Sequence, residues 1–347
     1  MNIKCINPTT DPLWQMLVQQ KTSTVFHSPE WLRVLQETYD FGIRAHVQVD
    51  KSGEPKAGIA FGLIEDMMDP RIVSLPFSDF CDPLVEDRED WNCLIDGLLG
   101  NGHRINLRCL HNQVPLGDER FALVNRAKWH CVDLQREVDD LWQGLHGSAR
   151  RAINKAQRSG VVVRIAQDKA ELRAFFELHL RLRKYKYQLL AQPYRFFENI
   201  WDQFIAKGNG ALMLAIHEEQ VIGGVMFLEW QDTLYYKFNA SSADYIPLRP
   251  NDLVVWEGIK YGQAKGYRYL DFGLSDWDQE GLLQYKRKFA TEEKTISFLR
   301  YTPEGSPTDK EKQIRSLLPQ LTDLFVNEAV SDRVTEKAGE ILYQYFT

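Results

Sequence analysis

The chain alternates between two spacings of apolar residues, and the alternation occurs twice. In "HSPEWLRVLQETYD" apolar residues fall at helical intervals behind Ser28 and Pro29, a cap followed by proline at the first helical position. Trp31 stands at the third helical position, where a capping box would put an acid or amide, so the box is incomplete. "RAHVQVDKSGEPKAGIAFGLI" then changes to period two, with Ala45, Val47 and Val49, a Lys-Ser-Gly turn and a small-residue strand, which predicts a hairpin. "EDWNCLIDGLLGNG" predicts a helix stopped by glycine, and "RINLRCL" a strand after it. The second half repeats the plan. "PYRFFENIWDQFIAKGNG" is a helix, and "ALMLAIHEEQVIGGVMFLEW" a hairpin turning at Glu218-Glu219-Gln220. "TLYYKFNAS" is a strand, "PNDLVVWEGIKYGQAKG" a helix and "YRYLDFG" a strand. Shared order without close identity predicts an internal duplication of long period.

At 347 residues the chain exceeds one ordinary core, and two domains are expected. A strand through Trp129 to Leu134 runs into a long helix, which sets the boundary near residue 138. "TPEGSPTDK", with Pro303, Gly305 and Pro307, is the plainest linker. The expected division is residues 1–138, completed by 305–347, and residues 139–304. The tail is expected to be helical, broken near Pro319, and to pack back on the first domain.

Composition narrows the class. Hydrophobic content of 44% with 26% charged residues is that of a folded soluble chain. No apolar run is long enough to cross a bilayer, and the first residues lack the zones of a signal peptide, so a cytoplasmic location is expected. Five cysteines, all before residue 132 and without CxxC spacing, argue against a disulfide framework or zinc cluster. Net charge is -6, yet His146 to Arg195 carries twelve Lys/Arg against three Asp/Glu. Such a local excess attracts an anionic ligand without general affinity for nucleic acid; a solvated helix face is the other reading.

Three stretches carry candidate chemistry. In "GSARRAINKAQRSG" Ser148 is a candidate cap and Gly160 a left-handed terminator. Ala149, Ala152, Ile153 and Ala156 share one face, while Arg151, Lys155 and Arg158 share another, suited to phosphate or to water. "RLRKYKYQ" mixes cations with Tyr185 and Tyr187, either to stack bases and pair with phosphate or as the wet end of a helix whose core is Phe175, Leu178 and Leu182. In "LRPNDLVVWEGIKYGQAKGYRYLDFG", Asn251 is expected to cap a helix whose first amides can hold an anion. Val255, Trp256 and Ile259 form its buried side, and Gly266 ends it. Arg249 and Asn251 are therefore the candidate cofactor-binding residues. The pyrophosphate loop of acyl-CoA N-acyltransferases of the GNAT type, R/Q-x-x-G-x-G/A, lacks its glycines here: Arg249 is followed by Pro250, Asn251 and Asp252. Asp271-Phe272-Gly273 stands without the other kinase motifs. No P-loop, G-x-S-x-G or H-E-x-x-H is present, and the eight histidines do not cluster, so no metal site is expected.

In order along the chain, "FHSPEW", "WHCVDL", "ARRAINKAQRSGV", "YYKFNASS", "DLVVWEGIKYGQAKGYRYLDFG" and "GLLQYKRKFA" resemble the Fem family of aminoacyl-tRNA-dependent peptidoglycan bridge ligases. They resemble still more its GNAT-like relatives associated with bacterial exopolysaccharide systems. The resemblance implies an α/β (α+β) fold of two tandem GNAT-like domains and transfer of an acyl or aminoacyl group to an amine, without metal and without a permanently bound cofactor. Acyl-CoA or aminoacyl-tRNA would be the co-substrate. The acceptor would be an anionic small molecule or a lipid- or nucleotide-linked sugar of the cell envelope; tRNA is a candidate partner and DNA is not. By the same resemblance Lys286 lies at the transfer site, with Tyr285 where phenylalanine is usual, and Tyr236 and Asn239 face substrate. Arg151 and Lys155 would hold phosphate. Asp271 either accepts a proton from the amine or simply ends its strand. The long helical arm by which some Fem ligases hold tRNA has no counterpart here. Three functions follow: an N-acyltransferase using acyl-CoA or a similar donor, an aminoacyl-tRNA-dependent peptidoglycan-precursor ligase, and a binding protein on the same scaffold without catalysis.

Overall fold

A computed structural model describes residues 2–305 and 309–346. Contacts divide the chain into two units, Met1–Lys128 with Lys294–Ser316, and Trp129–Glu293 with Leu317–Phe346.

The first unit runs β1 (Asn2–Ile6), α1 (Pro12–Gln20), α2 (Pro29–Tyr39), β2 (Gly42–Val49), β3 (Pro55–Ile64), β4 (Arg71–Val73), α3 (Arg88–Leu99) and β5 (Arg104–Cys109). β6 (Ala122–Asp133) begins in the first unit and ends in the second. There follow α4 (Val138–Gly144), α5 (Gly147–Arg158), β7 (Val162–Ile165), α6 (Lys169–Arg181) and α7 (Tyr194–Gln203). The second unit continues with β8 (Gly210–His217), β9 (Gln220–Trp230), β10 (Thr233–Ser241), α8 (Pro250–Ala264), β11 (Tyr269–Asp276) and α9 (Glu280–Arg287). β12 (Glu292–Tyr301), α10 (Asp309–Val326) and α11 (Asp332–Leu342) complete the chain. None of the described helices is long and apolar enough to cross a membrane.

The duplication appears in strand pairing as well as in element order. In the first unit β2–β3 and β3–β4 are antiparallel and β4–β5 parallel; in the second β8–β9 and β9–β10 are antiparallel and β10–β11 parallel. A parallel pair needs a crossover, and the crossovers are α3 and α8. Each unit has its own core. One is built on Ile59, Ile72, Trp91, Leu94 and Ile105. The other uses Val225, Phe227, Leu234, Val255, Ile259 and Leu270. α8 is buried almost all round, including Leu253, Val254, Trp256 and Gly258.

The tail departs from expectation. Lys294–Ser316 does belong to the first unit, and β12 pairs antiparallel with β5 from Ser297↔Cys109 to Tyr301↔Ile105. Leu317–Phe346, however, belongs to the second unit. Charge and close packing explain this. Arg173 on α6 makes a two-pronged ion pair with Glu336 on α11, at 2.6 and 2.8 Å. The fully buried Lys184 donates to Asp332 and to the Val330 carbonyl. Gly339 passes so near the backbone of Ala191 that a Cβ there would lie 2.4 Å from its carbonyl oxygen. Leu190, Val326 and Ala338 form the small core beneath. Pro319 does not break the tail, since α10 runs through it. Of the linker residues, Pro307 lies outside the described residues.

Two local expectations also change. The long helix after β6 is two helices, parted at Leu145 and His146. The start of α5 is capped by the His146 ring, which accepts from the Ser148 amide at 3.2 Å, and not by Ser148. Gly160 takes the left-handed conformation expected of it, φ +77°.

Candidate functional site

β10 and β11 are nine and eight residues long, yet they pair only at Thr233↔Tyr269, Leu234↔Leu270 and Tyr235↔Asp271. Beyond that point the strands part. β10 shifts register against β9 between Tyr236 and Phe238, a bulge of the kind that re-aims side chains. β11 bends two residues past its last pair, where Gly273 has φ +65°, a backbone conformation costly for any residue with a Cβ.

The side chains of both predicted catalytic residues meet this bend. Asp271 is buried, and its Oδ1 accepts from the Gly273 amide at 2.6 Å. Lys286 is also buried, 4% exposed, and its Nζ donates to the carbonyls of Gly273 at 3.2 Å and Leu274 at 2.8 Å. The strand end and the returning helix α9 therefore meet as the opening of the gap requires. Carboxylate and ammonium brace the left-handed turn from its two sides. His130, buried beside them, bonds Glu293 through Nε2 at 2.9 Å. Burial chiefly, and then the Lys286 charge, lower its pKa.

The first unit has the same three-residue parallel pairing, Arg71↔Arg104 to Val73↔Asn106, but its gap is closed by the chain. Ser74 N donates to Asn106 O at 2.8 Å, Arg108 N donates to Ser74 Oγ, and Cys81 N donates to Arg108 O. Asp82 then accepts from the Leu110 and Asn112 amides at 2.8 and 3.0 Å. Only the second unit keeps its strands apart.

Aromatic rings line that gap. Tyr236 meets Phe272 edge-on at 5.4 Å, Phe272 meets Phe289 at 6.2 Å, and Tyr285 meets Phe289 at 5.5 Å. The Tyr285 hydroxyl is buried without a partner among the described residues, and Tyr236 makes no hydrogen bond through its hydroxyl. Burial pushes both phenols well above their ordinary pKa, and the Asp252 charge adds to the rise.

Asp252, in the first turn of α8, is the functional candidate that sequence reasoning missed. It is 6% exposed, and beyond its own amide its carboxylate has no hydrogen-bond or ion-pair partner among the described residues. Burial raises its pKa, and the charges of Lys288 and Arg249 act the other way without cancelling the rise. The available signal was an acid in a helix's first turn, which is ordinarily solvated; only the packing around it makes it unusual.

The predicted cofactor residues have other work. Arg249, left-handed at φ +64°, precedes the helix, and Pro250 is its first residue, so Asn251 lies inside α8 and is not its cap. Asn251 accepts from Asn239 at 3.3 Å and donates to Ser241 Oγ at 3.2 Å, tying α8 to β10. Asn239 is thus a brace at the gap's edge. Arg151 and Lys155 are exposed on α5, whose Ala149, Ile153 and Ala156 are buried. They make no hydrogen bond or ion pair with the described residues, and nothing brings them to Lys286. The cationic stretch 181–188 is not a plain helix end: Leu182–Lys186 form one π-helical turn, with Tyr185 and Tyr187 about half exposed. A separate groove of about 860 Å³ lies between α6 and α11, but its charges pair with one another, as in Arg173–Glu336 and Arg181–Asp332.

Residues 145–287 match the sequence family described as acetyltransferase (GNAT) domain. No curated protein matches the chain in sequence. In fold it is similar to FemX, with TM-score 0.67 and 15% identity over 92% of this chain and all of that one. It is also similar to L-PGS from Bacillus licheniformis, with TM-score 0.58 and 12% identity over 91% of this chain and 98% of that one. A third relative in fold is a tandem GNAT protein from the clavulanic acid biosynthesis pathway, with TM-score 0.54 and 10% identity over 89% of this chain and all of that one. The chain thus has the Fem-like, tandem GNAT fold, and its residues 145–287 are similar to the acetyltransferase (GNAT) domain.

Proposed function

We propose that the second unit transfers an aminoacyl group from an ester donor of the aminoacyl-tRNA kind to an amine of a cell-envelope or sugar-linked precursor. The observation that carries this reading is the gap between β10 and β11, held open by Asp271, Gly273 and Lys286 and closed at the matching place in the first unit. An extended substrate can lie along such a gap.

The reaction joins the amine nitrogen to the ester carbonyl carbon and breaks the carbon–oxygen bond to the donor. The amine loses one proton and the leaving oxygen gains one, so the products are an amide and an alcohol. Negative charge develops on the carbonyl oxygen as the nitrogen attacks. An ammonium fixed at the strand end, as Lys286 is, stabilises that charge without reorganising, an effect commonly worth roughly 3–4 kcal/mol.

The choice of an ester over acyl-CoA rests on the start of α8. Diphosphate favours a helix start with free amides and no negative charge. Here Pro250 supplies no amide, and Asp252 places a buried carboxylate in the first turn. The FemX and L-PGS likenesses agree with this choice in fold only.

The test is a donor comparison with a lipid- or nucleotide-linked sugar-peptide acceptor. Transfer from charged tRNA, abolished by ribonuclease and absent with acyl-CoA, is the expected result. Transfer from acyl-CoA that ribonuclease does not touch would overturn the choice of donor.

A further inference from the structure

Cations of the second unit are commonly neutralised within it. Arg164, Arg173, Lys260, Lys265 and Arg287 each face a carboxylate at ion-pair distance. α5 departs from this. It carries no acid, and Arg151, Lys155 and Arg158 stand exposed along one face, at i, i+4 and i+7, without a hydrogen-bond or ion-pair partner among the described residues. Arg151 is placed at a further electrostatic cost. Its guanidinium turns back over the helix start, where a Cβ on Gly147 would lie 3.4 Å from Nη1. That is the positive end of the helix, which favours anions and opposes a cation. The opposite face, Ala149, Ile153 and Ala156, is buried in the same core as Val255 and Ile259 of α8, so the stripe cannot turn inward. The stripe also starts near the proposed reaction site. The His146 amide donates to the Lys288 carbonyl at 3.0 Å, joining the residue before α5 to the end of α9, the helix of Lys286.

We infer that this face of α5 docks the phosphate backbone of RNA, the body of the donor whose aminoacyl end enters the gap. The inference rests on the reading of an aminoacyl-ester donor and adds the surface that holds the rest of that donor. From Arg151 to Arg158 the stripe spans about 10 Å of helix axis. A nucleic-acid strand carries a phosphate roughly every 3.4 Å of its axis, so the three cations meet about three phosphates. Asn154, exposed between Arg151 and Arg158, adds an amide of the kind that bonds to phosphate and sugar oxygens. The other anionic surface a cationic helix can meet is a layer of lipid headgroups. A helix that lies on lipid buries an apolar face there. The apolar face of α5 is already taken by the core, and none of the exposed large apolar side chains belongs to this helix. RNA is the partner this chemistry favours. Because the contact is to backbone, it holds the donor without reading its sequence.

The test is binding of deacylated tRNA to the whole chain, so it does not depend on turnover. Fluorescence anisotropy is read from about 50 to 200 mM salt for the wild type and three variants. Arg151→Gln/Lys155→Gln/Arg158→Gln removes the stripe, and Arg151→Lys/Lys155→Arg/Arg158→Lys keeps its charge. Lys169→Gln/Lys207→Gln/Lys337→Gln removes the same charge from exposed cations elsewhere on the unit. The glutamine stripe variant should bind about 10- to 100-fold more weakly at about 100 mM salt, with a log–log salt slope lower by about two to three. The other two variants should stay within about threefold of the wild type. Phosphatidylglycerol vesicles should not bind through these residues. A folded glutamine stripe variant with unchanged affinity and slope, a control variant that weakens binding as much, or no tRNA binding by the wild type overturns the inference. Vesicles captured by this face in place of tRNA overturn it as well. tRNA held by this face, without transfer from charged tRNA, would strike the proposed reaction and leave the docking face standing. Transfer from charged tRNA at unchanged KM in the glutamine stripe variant would strike the face and leave the reaction.

Discussion

Replacing Lys286 with methionine separates bracing from chemistry: the ammonium braces the bend through its hydrogen bonds, and the proposed reaction gives it a second part. The bracing share is two charge-assisted hydrogen bonds, to the Gly273 and Leu274 carbonyls. Such bonds are worth about 1.5–3 kcal/mol each, and removing the donor leaves two buried acceptors. Against this, a methionine of similar length no longer has to be desolvated as a cation, which returns part of the loss. The net expectation is about 2–4 kcal/mol of destabilisation. For a unit of this size that is a fall in melting temperature of roughly 5–15 °C. The chemical share is the loss of one preorganised donor to the oxyanion, on the order of 100-fold or more in kcat. Circular dichroism fixes a temperature at which Lys286→Met is still native, and steady-state transfer is then measured there. A native variant whose turnover lies within about threefold of wild type would confine Lys286 to bracing the bend and refute its part in the reaction.

Other perturbations give results with a known sign. Asp252→Asn should raise the melting temperature at neutral pH. A carboxyl whose folded pKa lies above its ordinary 3.8 costs stability as pH rises past that value, so the gain should shrink below pH 4; equal gains at both pH values would contradict this. His27 and His179 are buried and held down to about 4 and about 3 from an ordinary 6.5. The stability they represent is complete above pH 6.5 and is lost as pH falls below it, by about 1.4 kcal/mol per pH unit for each. Urea unfolding at pH 7 and pH 5 measures this, and a flat profile would refute it. Gly339→Ala drives a methyl against the Ala191 carbonyl, where the backbone cannot easily yield, and should cost about 1–3 kcal/mol. Limited proteolysis should then cut within 317–346 sooner than elsewhere in the second unit; unchanged protection would show the tail docked by other means.

The parts of the molecule legible in the sequence are those encoded locally. Period-two apolar runs around Val47 and Val225, glycine at the ends of α3 and α8, and proline at the first position of α2 each act within one turn or one hairpin. The duplicated order followed from them. The parts that were not legible depend on distant partners. The docking of α11 rests on Arg173 and Lys184, more than 140 residues earlier, and on a glycine passing a carbonyl, and neither leaves a periodic trace. Lys184 reads as one more solvated cation in "RLRKYKYQ", yet it is fully buried. The start of α8 was misplaced by two residues although Pro250 signalled it, because the polar Asn251 looked like a cap. Lys286 was singled out by resemblance, and its three-residue offset from the buried Leu283 already put it on the inward face of α9. Asp252 was invisible, since its burial is set by packing that leaves no trace in the spacing of the residues around it.

The interleaving of the two units constrains how the protein can be made. β5 gains its β12 neighbour only from residues synthesised after the whole central stretch 129–293. Until then a nascent chain carries an unpaired strand margin, a template for mispairing with other chains. A severed fragment ending at Lys128 would keep that margin permanently, and one spanning 129–293 would retain a buried lysine with its counter-ion on a missing segment. Neither half is separable by a single cut, so recombinant dissection of this molecule calls for circular permutation or co-expressed pieces rather than truncation.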